Sequence, residues 1–259
     1  MENIRFKKHN GIATVALNRP EVYNALNAAM LRELAQVIAD CGRDKSIRVL
    51  VLESANPNVF CSGADLKEGL QDSQKSLGEV LKENYEPVIL GLRMLPKPVI
   101  CKISGLAVGA GMSLALACDM IVAEEEAYMS ELFVGIGLMP DAGSMYFLPR
   151  MVGFQKAFEL MSSGRKIYMK EALTLGLVTQ VVPKEQLDQV VEGMAIMYAG
   201  AATKAIGEMK MVLNQSHNRS LQEVLELEAL GQTSCGLSSD FKRGVMAFLN
   251  KTKPEFRGD

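Results

Sequence analysis

Asp141 is the only carboxylate between Glu131 and Arg150, in the run GIGLMPDAGSMYFLPR over residues 135–150. Its sequence neighbours include Leu138, Met139, Met145, Phe147 and Leu148. Apolar surroundings disfavour the charged form of a carboxyl, so such a group holds its proton to higher pH and becomes a useful acid or base near neutrality. Pro140-Asp141-Ala142-Gly143 is equally good turn chemistry, with Pro fixing φ, Asp bonding local backbone and Gly closing the turn. On this stretch alone the turn is the simpler account. Two glycine-bearing loops carry complementary chemistry: FCSGADLKE at 60–68 and SGLAVGAGMSLALACD at 104–119. Gly105, Gly109 and Gly111 let the backbone turn tightly and let a ligand approach peptide N–H groups. A helix start adds unpaired donors and the positive end of its dipole. One amide from each loop aimed at one oxygen would form an oxyanion hole, in which a single donor is worth about 3–4 kcal/mol. Close helix–strand packing would also explain these small residues.

Other chemistries fit the chain poorly. GAGMSL has Leu114 where a dinucleotide fingerprint needs its third glycine, and no phosphate-loop G-x-x-x-x-G-K-[ST] occurs. Ser113 in GMSLA distantly resembles a nucleophile elbow, but the chain has only His9 and His217 to serve as base, near a turn and a helix cap respectively. Five scattered cysteines without a C-x-x-C pair point to reduced thiols rather than a disulfide framework or a metal site. The net charge of −2 offers no general attraction for nucleic acid or anionic membrane. The start MENIRFKKHNG lacks an apolar signal segment, and the longest uncharged run, 103–118, is too short to span a bilayer. The expectation is a soluble cytoplasmic protein, without metal or cofactor and with neither nucleic acid nor membrane as partner.

These residues need a scaffold. NIRFKKH and IATVALN flank Asn10-Gly11, a type I′ hairpin signal. Leu26, Met30, Leu31, Leu34, Val37, Ile38 and Cys41 form one helical stripe, with Gly42 as the expected stop. RVLVLES reads as a buried strand, 78–95 as a helix interrupted at Pro87 and ended by Pro96, and PVICKI as the next strand. A glycine turn, a helix of small residues and a strand from Met120 to Ala123 follow. Strand and helix thus alternate through the first two-thirds, which predicts an α/β fold with crossover connections. Helices are predicted over 155–162, 169–176, 184–199, 202–214, 220–235 and 238–249, with LVTQVV as a strand among them. Ser220 and Glu223 make a capping box. The expected division is an α/β core over 1–200 and a helical region over 201–259.

NRPEVYNALN, FCSGADLKE, GLAVGAGMSLALACDM and GLMPDAGSMYFLPRMVG stand in the order and spacing of the crotonase family, the enoyl-CoA hydratases, isomerases and their relatives. The ending SSDFKRGVMAFLNKTKPEF is similar too, so the resemblance spans essentially the whole chain. It implies a spiral of βαβ units with a C-terminal helical region, an acyl-CoA thioester as substrate, and a homotrimer or a hexamer built from two trimers. By motif, the oxyanion amides would be those of Ala64 and Ala110. Gly109 and the segment Ala64, Asp65, Leu66 and Lys67 would contact CoA, with Phe248 and Lys251 reaching it from the C-terminal helix. The two glutamates of a typical hydratase are missing: Ser113 and Phe133 occupy their positions. Glu131 is the nearest replacement. In a strand it would share Phe133's face about 6–7 Å along, too far to substitute. The resemblance therefore favours double-bond isomerisation, with Asp141 as the single carboxylate that carries a proton between C2 and C4. Hydration, other family chemistry on a ring-bearing acyl-CoA, and non-catalytic acyl-CoA binding are the alternatives.

Overall fold

The computed structural model describes residues 1–71 and 75–259. The chain opens with β1 (Ile4–His9) and β2 (Ile12–Leu17), paired antiparallel about Asn10 and Gly11, whose φ values of 48° and 80° suit a primed turn. Then come α1 (Ala28–Arg43), β3 (Val49–Ser54), α2 (Leu66–Gln71), α3 (Leu77–Val80), a π-helical turn over 81–85, α4 (Glu86–Met94) and β4 (Val99–Ile103). A second glycine-rich passage holds β5 (Leu106–Val108), α5 (Ala110–Leu116), β6 (Met120–Glu124) and β7 (Tyr128–Ser130). After a 3-10 turn over 132–136 lie α6 (Ser144–Val152), α7 (Phe154–Ser163), β8 (Ile167–Tyr168), α8 (Met169–Thr174) and β9 (Gln180–Val182). The chain finishes with α9 (Lys184–Ala199), α10 (Thr203–Ser216), α11 (Leu221–Gly236) and α12 (Ser239–Leu249).

The main sheet has the order β1-β2-β3-β4-β6-β9, parallel throughout except for the first hairpin. Strand β3 shows why both faces are covered. Its period-2 geometry sends Val49 and Val51 to one face, where Leu187, Val191 and Ala195 of α9 pack. Leu50 and Leu52 point to the other, against the larger core that contains Leu34 and Ile38 of α1 and Val88 and Leu92 of α4. A parallel sheet buried on both sides, fed by crossover helices, is the α/β architecture expected from the sequence.

The remaining strands form a small sheet, β5-β7-β8, which the sequence does not announce. Elements of two or three residues are too short to show periodicity. Two helix boundaries also differ from expectation. Helix α1 runs through Gly42 to Arg43, and Asp44 in extended backbone ends it. The interruption expected at Pro87 is a π turn just before it. Pro87 sits in the first turn of α4, where a missing N–H costs little. The capping boxes of α11, at Ser220 and Glu223, and of α3, at Ser76 and Glu79, are formed.

Helix α10 is fastened to the core by a buried cation. Lys210 Nζ donates to Asp119 Oδ2 at 2.7 Å and to the Leu92 carbonyl at 2.8 Å. Arg93 bonds Asn214 of the same helix. Among the described residues no helix is long and apolar enough to cross a membrane.

Candidate active site

The two glycine loops lie side by side. Cys61 bridges Ala107, and the Val108 amide donates to the Cys61 carbonyl at 3.0 Å. A Cβ on Gly63 (φ 98°) would stand 2.9 Å from the Val108 oxygen and 3.6 Å from the Ala110 nitrogen. One on Gly111 would fall 2.6 Å from the Cys61 oxygen, so only glycine permits this approach. The first loop is held from behind by Asn24, which is fully buried. Its Nδ2 donates to Ser54 Oγ at 2.7 Å and to the Phe60 carbonyl at 2.9 Å, while its Oδ1 accepts from the Arg19 amide. The second is held by Glu124, whose Oε1 accepts from the Gly105 amide at 2.7 Å. Neither role is legible in the sequence: Asn24 lies inside a quoted motif, and Glu124 is one of three consecutive acids.

At the meeting of these loops are Ala64 and Ala110. Leu26 bridges Ala64 through the neighbouring groups, Leu26 N to Gly63 O and Asp65 N to Leu26 O, which leaves the Ala64 amide out of the ladder. Ala110 begins α5, where helix geometry supplies no acceptor for its N–H. Among the described residues neither amide has a hydrogen-bond acceptor. Both are therefore available to a ligand oxygen.

Asp141 approaches from the loop before α6. Its turn has two residues in the left-handed region, Ala142 (φ 49°) and Gly143 (φ 91°), and closes with the Ser144 amide donating to the Asp141 carbonyl at 3.0 Å. A non-glycine residue in that region is strained, a cost that the surrounding packing must offset. Ser113 of α5 ties this turn to the glycine loop, its hydroxyl lying 3.0 Å from the Asp141 carbonyl and 3.3 Å from that of Gly109. Asp141 Oδ1 is buried without a partner. Desolvation raises the group to about 6. Tyr85, buried at the end of the π turn, feels the Asp141 charge.

The secondary candidates need correction. Ser113 is fully buried, and Phe133 is nearly so, with its ring 3.9 Å from where a Gly109 Cβ would stand. Glu131 and Phe133 do not share a strand: β7 stops at Ser130, Glu131 caps the following 3-10 turn, and its side chain turns inward. Glu131 is wholly buried, with Oε1 2.6 Å from Ser144 Oγ, while Oε2 has no partner.

The remaining positions spread along the rim. Asp65 pairs with Arg19 at 3.0 Å and its Oδ1 accepts from the Glu68 amide, starting α2. Leu66 and Lys67 are exposed. Phe248 and Lys251 are exposed on and just beyond α12. Phe248 belongs to an apolar groove of about 770 Å³ between α10, α11 and α12, which none of Ala64, Ala110 or Asp141 lines. Among the described residues no cluster suited to a metal ion is found.

Comparison with known proteins agrees with the geometry. The family model for Enoyl-CoA hydratase/isomerase matches residues 7–259. A relative from Rhodobacter capsulatus named "Probable enoyl-CoA hydratase" is 38% identical, over 98% of each chain. The 1,2-epoxyphenylacetyl-CoA isomerase of Escherichia coli is 36% identical over 100% of this chain and 99% of its own. The crystal structure of an enoyl-CoA hydratase from Bacillus anthracis superposes with a TM-score of 0.92 at 30% identity, covering 99% of this chain and 100% of the other. The chain belongs to the enoyl-CoA hydratase/isomerase family and has its crotonase fold.

Proposed function

We propose that this member of the enoyl-CoA hydratase/isomerase family moves a double bond in an enoyl-CoA thioester, with Asp141 as the only proton carrier. The observation behind this reading is the pairing of an unpartnered, desolvated carboxylate oxygen on Asp141 with two free backbone amides on adjoining loops. The thioester oxygen accepts from the Ala64 and Ala110 amides. Asp141 takes the proton from C2 of a 3-enoyl chain, the amides stabilise the dienolate, and the same carboxyl returns a proton to C4. Ser113 and Phe133 offer no second carboxylate to aim water at the double bond, which argues against hydration. Apolar walls serve the same end by excluding water from the intermediate. The reaction as written uses no metal and no cofactor.

The isomerase named among the relatives takes a ring-bearing acyl-CoA, which extends the acyl groups worth assaying to ring-bearing ones. We also propose that the protein works as a trimer or a pair of trimers. Exposed apolar residues on the 132–136 turn, α6 and α7 (Leu132, Ile136, Met145, Phe154 and Phe158) and in the C-terminal groove support this.

Running the reaction in D2O tests the proton path. Isomerisation by one carboxyl shielded from water carries the substrate's own C2 hydrogen to C4, so the conjugated 2-enoyl product gains little deuterium at C4 and no hydroxyl. A 3-hydroxyacyl product would overturn the reading.

A further inference from the structure

A second carboxyl lies behind the first, joined to it by two hydroxyls. Glu131 Oε1 is 2.6 Å from Ser144 Oγ, Ser144 Oγ is 2.8 Å from Ser113 Oγ, and Ser113 Oγ is 3.0 Å from the carbonyl oxygen of Asp141. Ser113, Ser144 and Glu131 are all fully buried. The chain therefore runs from a buried side chain to the backbone of the proposed base through direct contacts. Two hydroxyls between a carboxyl and a carbonyl admit two donor orders. With Glu131 ionised, Ser144 must donate to it, and Ser113 is free to donate to Ser144. With Glu131 as the neutral acid and its proton on Oε1, every link reverses: Glu131 donates to Ser144, Ser144 to Ser113, and Ser113 to the Asp141 carbonyl.

The orphaned Oε2 decides between them. A fully buried carboxylate with one oxygen bare costs more than a neutral acid whose bare carbonyl oxygen carries only partial charge. The neutral order also gives the carbonyl that closes the strained Asp141–Ser144 turn a second donor, the Ser113 hydroxyl, beside the Ser144 amide. We propose that Glu131 is a positioning residue: it rests as the neutral acid, and through Ser144 and Ser113 it holds the Asp141 turn and keeps the site to a single negative charge, that of Asp141.

The inference rests on Asp141 being the base. The electrostatics agree with the geometry. Burial, and then the Asp141 anion, push Glu131 up to about 7, against the single hydrogen bond from Ser144 that opposes them. Asp141, at about 6, ionises first. Another titratable group that interacts with Asp141 is Tyr85 from the π turn, which burial pushes far above neutrality, so it stays uncharged. Cys61, on the glycine loop beside Tyr85, is likewise held as the thiol, pushed up to about 12 by burial. Above the pH at which Glu131 ionises, a second buried anion opposes the dienolate and turnover falls.

Infrared titration of the free protein in the carboxylic-acid C=O region tests this without a substrate. Wild type, Glu131→Gln, Asp141→Asn and Ser144→Ala would be compared, with the pH profile of turnover measured alongside. The expected result is two acid bands that persist above the ordinary carboxyl range. The later-titrating one has the high stretch of a carbonyl that accepts no hydrogen bond. Glu131→Gln removes that band and the alkaline fall in turnover. Asp141→Asn leaves the band but moves its titration to lower pH, because the neighbouring anion is gone. Ser144→Ala moves it to higher pH, because the donor that favours the anion is gone. A Glu131 band that titrates at the same pH in all variants, or a lowered stretch showing Oε1 as acceptor, overturns the relay. The asparagine and alanine variants decide this even if the glutamine variant fails to fold. Turnover that survives Asp141→Asn refutes the base, and with it the catalytic part of this inference, whatever the bands show.

Discussion

Two carboxyls at this site are held above their ordinary values, and that has a consequence for stability as well as chemistry. Glu131 rises from 4.5 to about 7 and Asp141 from 3.8 to about 6, both by burial first. The folded chain therefore binds these protons more tightly than the unfolded one. Their contribution to stability is fully present below the ordinary carboxyl values and is lost as pH rises through the folded values. Glu131→Gln removes an ionisation that the fold resists. It is expected to stabilise the protein at about pH 8 by on the order of 2–3 kcal/mol and to leave it nearly unchanged at about pH 4. Urea unfolding of both proteins at the two pH values checks the sign; a destabilised variant at high pH would contradict it. Asp141 was legible in the sequence because a lone carboxylate among apolar residues is conspicuous. The inward turn of Glu131 was not, since a residue outside regular structure carries no period to tell which way it faces.

At the scale of elements, the site depends on two loops approaching more closely than any side chain allows. Gly111→Ala would set a methyl 2.6 Å from the Cys61 carbonyl oxygen and force the loops apart. The expected cost is about 1–3 kcal/mol with loss of turnover well beyond that of unfolding, read from a thermal melt alongside an assay of the folded fraction. Lys210 is the matching test for the helical region. Lys210→Met leaves Asp119 and two carbonyls short of a donor in a buried place, and is expected to cost about 3 kcal/mol by chemical denaturation. Helices and long strands were readable because their apolar residues recur at fixed spacing, as in α1 and β3. The strands β5, β7 and β8 and the π turn before Pro87 were not, because two or three residues show no recurrence and the π turn answers to tertiary packing. The motifs located the glycine loops, but not the Asn24 and Glu124 bonds that fix them from behind.

At the scale of the whole molecule, the single chain leaves much apolar surface in the open. Phe154 and Phe158 stack at 6.3 Å between ring centres while both are more than half exposed, and Phe248 is 83% exposed beside the C-terminal groove. Light scattering on the purified protein is expected to give three or six times the 28.2 kDa chain mass; a monomer would contradict the proposed assembly and leave Phe248 and Lys251 without a route to CoA. That same assembled protein is the one to assay. The most direct test follows the ultraviolet absorbance of the conjugated thioester with a 3-enoyl-CoA, straight-chain and ring-bearing, and separately with a 2-enoyl-CoA, for wild type and Asp141→Asn. The account predicts a rise with the 3-enoyl substrate that disappears in Asp141→Asn, and no fall with the 2-enoyl substrate. A fall with the 2-enoyl substrate that survives the substitution would contradict it, and would mean that this chain adds water through groups other than Asp141.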